Sequence, residues 1–120
     1  RAALNAYKDK IETISFGNDI IPGVTSVSIP GHTPGHSGFR VDEGNETLIQ
    51  MGDILHVPYL QLENPSISTV FDVDAEAALK SRKELLDMVS TDKILCTSGH
   101  MIQPKFGYIE KSGAGYMVVS

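Results

Sequence analysis

The chain has 120 residues, of which 41% are apolar and 21% charged, the balance of one soluble domain with a modest core. A formal net charge of -5 argues against a nucleic-acid partner, because phosphate backbones are held by clustered Lys and Arg. No apolar run reaches the length of about 18 residues that would suggest a membrane span. The single cysteine, Cys96, can form no internal disulfide and fits a reducing compartment, so the expected location is cytoplasmic. Its setting in KILCTS reads as a small buried hydrophobe, with a reactive thiol or a metal ligand as the alternatives.

In chain order, Ala2 to Ile11 has helix-forming residues and reads as the tail end of a helix that begins before Arg1. Val24 to Ile29 interleaves Val and Ile with Ser and Thr, the period of a half-buried strand. Gly38 to Val41 and Thr47 to Met51 follow, separated by DEGNE with its turn-forming Gly and Asn, and predict a hairpin. The main helix spans Asp74 to Ser90. Asp74 is placed to accept from the first free amides, and Glu76 suits the positive end of the helix dipole. Ala75, Ala78, Leu79, Leu85, Leu86 and Val89 form its apolar stripe. Arg82 falls on the same stripe, where its stem is expected to lie along the face and its head to reach water. Glu76 and Lys80 are expected to pair on the exposed face. Lys93 to Thr97 predicts a buried strand. Phe106 to Glu110 and Gly115 to Ser120 predict two more about the turn KSGA. One long helix covers one face of such a sheet, so the other face is left open or covered by something else.

Polar residues gather where these strands end. His32 and His36, in PGHTPGHSG, follow the strand ending at Ile29; Asp53 follows Met51, with His56 three residues on; His100 follows Thr97. A glycine directly precedes His32, His36, Asp53 and His100, which lets the backbone turn sharply there. Each piece alone has a plainer reading: a stiff turn, a turn aspartate, a histidine bonded to backbone. Three strand ends in one Gly-polar format point together to a metal site, whose imidazole and carboxylate donors suit zinc and also iron or manganese.

With PGHTPGH, then a strand and MGD, then a helix, a strand and SGH, the chain from about Val24 onward resembles the carboxy-terminal half of metallo-β-lactamase-fold hydrolases. GDILHVPYLQLENPSISTVFDVDAEAALKSRKELLD is similar to the branch of methyl parathion hydrolase and related lactonase-like enzymes. The resemblance implies an α/β (α+β) fold: the carboxy-terminal half of an αββα sandwich, with a mixed, mostly antiparallel sheet and one long helix. It implies that His32 binds one of two divalent metals, that Asp53 bridges both and that His100 binds the second. The metals expected are zinc, or iron or manganese. His36 is implied to brace the loop without binding. His56 stands where relatives place a residue near the substrate, able to orient it or protonate a leaving group; a plain structural histidine is the alternative. The implied chemistry is attack of a metal-bound hydroxide on an ester, lactone or phosphotriester, with a small molecule as substrate. Tyr59, Leu60, Leu62 and Phe71 are candidates for a pocket wall, or else for ordinary packing.

The family also carries His-x-His-x-Asp-His earlier in the chain. This sequence has four histidines, and none precedes His32. Residues 1–120 are therefore expected to form one partial domain, the carboxy-terminal part of a longer protein. Alone it is expected to be inactive, to bind one metal weakly, and to self-associate through an exposed apolar sheet face. Two other functions stay open: a non-catalytic metal-binding or interaction module, and a di-iron redox relative of the same fold.

Overall fold

The computed structural model describes residues 2–102 and 105–119. A five-stranded sheet runs in the order β1 (Asp19–Ile21), β2 (Val24–Ser28), β3 (Ser37–Glu43), β4 (Glu46–Gln50) and β5 (Leu95–Thr97). All neighbours are antiparallel except β4 and β5, which are parallel. Two helices, α2 (Pro58–Glu63) and α3 (Ala75–Thr91), form the crossover between that parallel pair. A separate hairpin, β6 (Tyr108–Ser112) with β7 (Gly115–Val119), is tied to β5 by a bridge between Cys96 and Gly107. At the amino end lie the short helix α1 (Ala2–Ala6) and a 3-10 turn at Lys8–Lys10. This is the α+β arrangement expected: a mixed, mostly antiparallel sheet with one long helix. No helix among the described residues is long and apolar enough to cross a membrane.

The expected strands are present with small shifts. The β3–β4 hairpin closes through Gly44 and Asn45, since Glu43 pairs with Glu46. The β6–β7 turn is Gly113 and Ala114, so the strand runs two residues past Glu110. The expected strand end at Ser120 lies outside the described residues. Two elements carry no expectation from sequence: the edge strand β1, and α2, which is started by Pro58 in its first turn, where a missing amide costs nothing.

Helix α3 starts one residue after its cap, where Asp74 accepts a hydrogen bond from the amide of Ala77 at 2.9 Å. It ends in a left-handed residue, Lys93 (φ 52°), and the amide of Ile94 reaches back to the carbonyl of Val89 at 3.0 Å. Leu85, Leu86 and Val89 share one core with Ile49, Met51 and Cys96 of the sheet side and Ile109 of β6. Ala75 is exposed and Leu79 only half-buried, because the stripe begins at Ala78. Lys80 pairs with Glu84, at 3.9 Å, instead of with Glu76.

Arg82 corrects the sequence reading. It is completely buried, and its head does not reach water. The chain between β4 and α3 folds over it and offers carbonyl groups that need donors. Nε donates to the carbonyl of Ile54 (2.8 Å), and a terminal nitrogen to those of Pro65 (2.8 Å) and Ile67 (3.0 Å). The second terminal nitrogen faces Asp72 Oδ2 at 3.5 Å.

Adjacent partners in register, Val24, Val41, Leu48 and Leu95, share one face of the sheet. Ile49 and Cys96, one residue away along their strands, point to the core instead. On the first face Val41 and Phe39 are exposed, Val24, Leu48 and Leu95 are half-buried, and Ser26 is buried.

Candidate metal centre

Strand direction assembles the site. Strand β2 is antiparallel to β3 and β3 to β4, so β2, β4 and β5 all run the same way and end at one edge. His32 follows β2, Asp53 and His56 follow β4, and His100 follows β5. The carboxyl ends of like-directed strands are where α/β sheets present ligand-binding side chains.

Local structure then fixes each side chain. The His32 loop is closed by the amide of Ile29 on the carbonyl of His36 (3.1 Å) and pinned to the start of α3 by the amide of Asp74 on Gly31 (2.9 Å). Ser81 adds a bond to the carbonyl of Pro30 at 2.7 Å. Gly31 is required here: its φ is +130°, and a Cβ would stand 2.0 Å from the amide nitrogen of Ala78. At the end of β4, Gly52 takes a left-handed φ of +56° that turns Asp53 into the site, and Gly99 donates to its carbonyl at 3.1 Å. That bond sets Asp53 beside His100. His36 Nδ1 bonds the carbonyl of Ile29 and its Nε2 accepts from the amide of Asp53, both at 2.9 Å. Both ring nitrogens are thus spent on backbone, which is the bracing geometry.

The two oxygens of Asp53 face opposite ways. Oδ2 lies 3.7 Å from His32 Nε2, and Oδ1 lies 3.5 Å from His100 Nε2. These gaps are long for charge-assisted hydrogen bonds, which run at about 2.7–2.9 Å. They suit donors that share an ion: two donors on a tetrahedral metal, each bond about 2.1 Å, are about 3.4 Å apart. These spacings leave room for a cation between each imidazole and the carboxylate.

His56 occupies the centre. Its ring lies 4.6 Å from that of His32 and stacks 4.9 Å from that of His100, with Phe71 stacked on it at 5.6 Å. Its Nδ1 is buried without a protein partner. Burial lowers its pKa, and the neighbouring His32 and His100 lower it further. It is grouped with Asp53 and His100 on one side and with His32 and Asp72 on the other, each trio within 4.8 Å.

Asp72 is the member of this cluster that sequence reading missed. It sits in no Gly-polar format and follows no strand; its only sequence signal is its place two residues before the helix cap. An open cleft of about 800 Å³ adjoins His56 and His100, walled by Val57, Tyr59 and Leu62 of the α2 segment, by Met101, and by Tyr116 and Val118 of β7. Of the candidate wall residues, Tyr59 and Leu62 line it, and Leu62 is also core. Leu60 does not, and Phe71 serves the His56 ring.

No family model matches the chain. An N-acyl homoserine lactonase of Bacillus cereus is 30% identical over 90 residues, 74% of this chain and 35% of that protein. One from a Bacillus species is 29% identical over 89 residues. Among solved structures, AidC, a dizinc quorum-quenching lactonase in complex with its product, superposes with a TM-score of 0.91 at 24% identity, over 98% of this chain and 40% of AidC. The hydrolase AbOPH of the beta lactamase superfamily gives 0.89 at 24% identity, over 98% of this chain and 41% of its own. These two show the fold. An N-acyl homoserine lactone hydrolase with product bound at its catalytic metal centre gives 0.60 at 26% identity, over 75% of this chain and 35% of that one. The chain thus spans about a third of the curated relatives' length, 35% of each. A fold shared with AidC and AbOPH over nearly the whole chain, together with the lactonase sequences, places its family: the chain belongs to the metallo-β-lactamase superfamily.

Proposed function

We propose that this chain is the carboxy-terminal half of a dinuclear metal-dependent hydrolase that opens a lactone or cleaves a related ester or phosphotriester. The observation that carries the reading is Asp53, with one carboxylate oxygen turned to His32 and the other to His100. In this reading His32 and His100 would each hold one cation, with Asp53 as a ligand placed between them. The remaining ligands come from outside these 120 residues. The bound metals, zinc or else iron or manganese, supply Lewis acidity and an activated water near neutral pH. His36 keeps the Asp53 backbone fixed, so the carboxylate does not swing.

His56 is the substrate-facing group, because it stands between the two metal sides and borders the cleft. Burial, followed by the neighbouring imidazoles, favours its neutral form, which suits it to orient or hydrogen-bond a leaving oxygen instead of repelling the cations. The apolar wall of the cleft suits a small molecule with a hydrocarbon portion, and the lactonases among the relatives favour a lactone. The outer sheet face with Phe39 and Val41 is where the rest of the domain packs, and where the isolated chain self-associates. The one buried thiol fits a cytoplasmic location.

Elemental analysis and a hydrolysis panel of lactones, aryl esters and phosphotriesters test this. The expected result is about two metals per full-length protein and well under one in the 120-residue chain, with lactone turnover by the former only. A full-length protein that takes up no zinc, iron or manganese overturns the reading.

A further inference from the structure

Asp72 is a buried carboxylate that the proposed ligand set leaves unused. Its side chain is 1% exposed, and both of its oxygens face nitrogen atoms at 3.4–3.5 Å. Oδ1 lies 3.4 Å from His32 Nδ1, while Oδ2 faces Arg82 at 3.5 Å and the amide of Thr69 at 3.4 Å. The other nitrogen of the same imidazole, His32 Nε2, is the one that faces Asp53. A neutral imidazole carries one proton, and only the nitrogen without it can bind a cation. Which nitrogen that is depends on the partner of the other.

We infer that Asp72 is a positioning residue: it holds the proton of His32 on Nδ1, so that the Nε2 lone pair points to the Asp53 side, and Arg82 holds Asp72 in place. The inference rests on the metal-centre reading and deepens it. The support is continuous and dry. Arg82 is completely buried on α3, and its bonds to Ile54, Pro65 and Ile67 fix it independently of Asp72. The loop on the other side is fixed too, because the amide of Val73 donates to the carbonyl of His32 at 3.2 Å. A direct ligand role for Asp72 fits less well. It needs His32 to coordinate through Nδ1, which turns Nε2 away from Asp53, and it needs Asp72 to give up the contact with His32.

The test uses the full-length protein that contains this chain, with zinc as the probe and a chromogenic chelator as competitor. Asp72→Asn is expected to weaken one of the two zinc ions by about 10- to 100-fold, the cost usual for loss of an outer carboxylate partner, and to leave the other within about threefold. In the metal-free protein, nitrogen-15 imidazole spectra are expected to show His32 with its proton on Nδ1, and Asp72→Asn to lose that preference. Should Asp72→Asn fail to fold, because it strands Arg82, Asp72→Glu keeps the charge and displaces the oxygens. A smaller loss confined to the same zinc is then expected. Equal affinity of both zinc ions in wild type and Asp72→Asn, or a His32 proton on Nε2 in the metal-free wild type, overturns the positioning role. A wild type that binds no zinc overturns the metal-centre reading instead, and the imidazole spectra still decide the role of Asp72.

Discussion

Replacing Arg82 with Met keeps most of the side-chain bulk and removes the charge and every donor. Of the arginine's four partners, the carbonyls of Ile54 and Pro65 and the Asp72 carboxylate lose their donor in a buried setting, while the Ile67 carbonyl keeps the side-chain amide of Gln61 at 2.9 Å. Removing one partner of a buried ion pair costs about 3–5 kcal/mol, because the remaining charge keeps its desolvation penalty. Each abandoned carbonyl adds of order 1 kcal/mol, though these terms overlap. A loss of about 4 kcal/mol is therefore expected, a large part of the roughly 5–15 kcal/mol that stabilises an ordinary domain. Burial pulls the guanidinium pKa down, and the neighbouring Asp72 opposes that shift. Urea unfolding, followed by circular dichroism, measures the loss. Arg82→Lys keeps a charge but cannot reach all four groups at once, and an intermediate loss of about 2 kcal/mol is expected. Lys83→Met, one position on and exposed, is the control and should change stability by less than about 0.5 kcal/mol. If Arg82→Met costs under about 1 kcal/mol, the guanidinium is solvated in solution and its burial against these carbonyls is refuted.

Three further outcomes follow from single positions. A Cβ at Gly99 would stand 2.7 Å from Asp53 Oδ1, so Gly99→Ala is expected to lower zinc affinity at least about tenfold while changing stability little; unchanged zinc binding in chelator competition would show that the carboxylate position is not critical. Lys93 closes α3 in a left-handed conformation that costs a non-glycine residue about 1–2 kcal/mol, so Lys93→Gly should stabilise by about 0.5 kcal/mol net of unfolded-state entropy, and a destabilised variant in the same urea assay contradicts the cap. Burial pushes the Cys96 thiol up to about 12. The native thiol thus keeps its proton from about pH 8.5 to about 12 while the unfolded one loses it, so stability is unaffected below that window and falls as pH rises through it. Disulfide reagent at pH 8 should label Cys96 only after denaturation, and equal labelling of native and denatured protein refutes its burial.

The sequence by itself determined the elements whose periodicity is local. The alternation in Val24 to Ile29, the Gly and Asn between Val41 and Thr47, and the Asp74 cap with Leu85, Leu86 and Val89 all lie within one or two turns or strands. Backbone sterics and one-sided burial act at that range. The Gly-polar format at three strand ends was legible too, because a sharp turn after a strand needs glycine wherever the strand ends up. Only the tertiary structure decided the rest. That His32, Asp53 and His100 meet follows from β2, β4 and β5 running in one direction, a property of strand order that no local pattern encodes. Arg82 reads as a snorkelling residue on the helix alone. Its burial is set by the segment from Ile54 to Asp72, which folds across the helix and brings carbonyls that demand donors. Asp72 joins the site for the same reason: its carboxylate is placed by an arginine ten residues away, through space, against a histidine forty residues earlier. Hydrogen-bond satisfaction in a dry interior is a condition on the whole fold, and so it became visible only when the chain was folded.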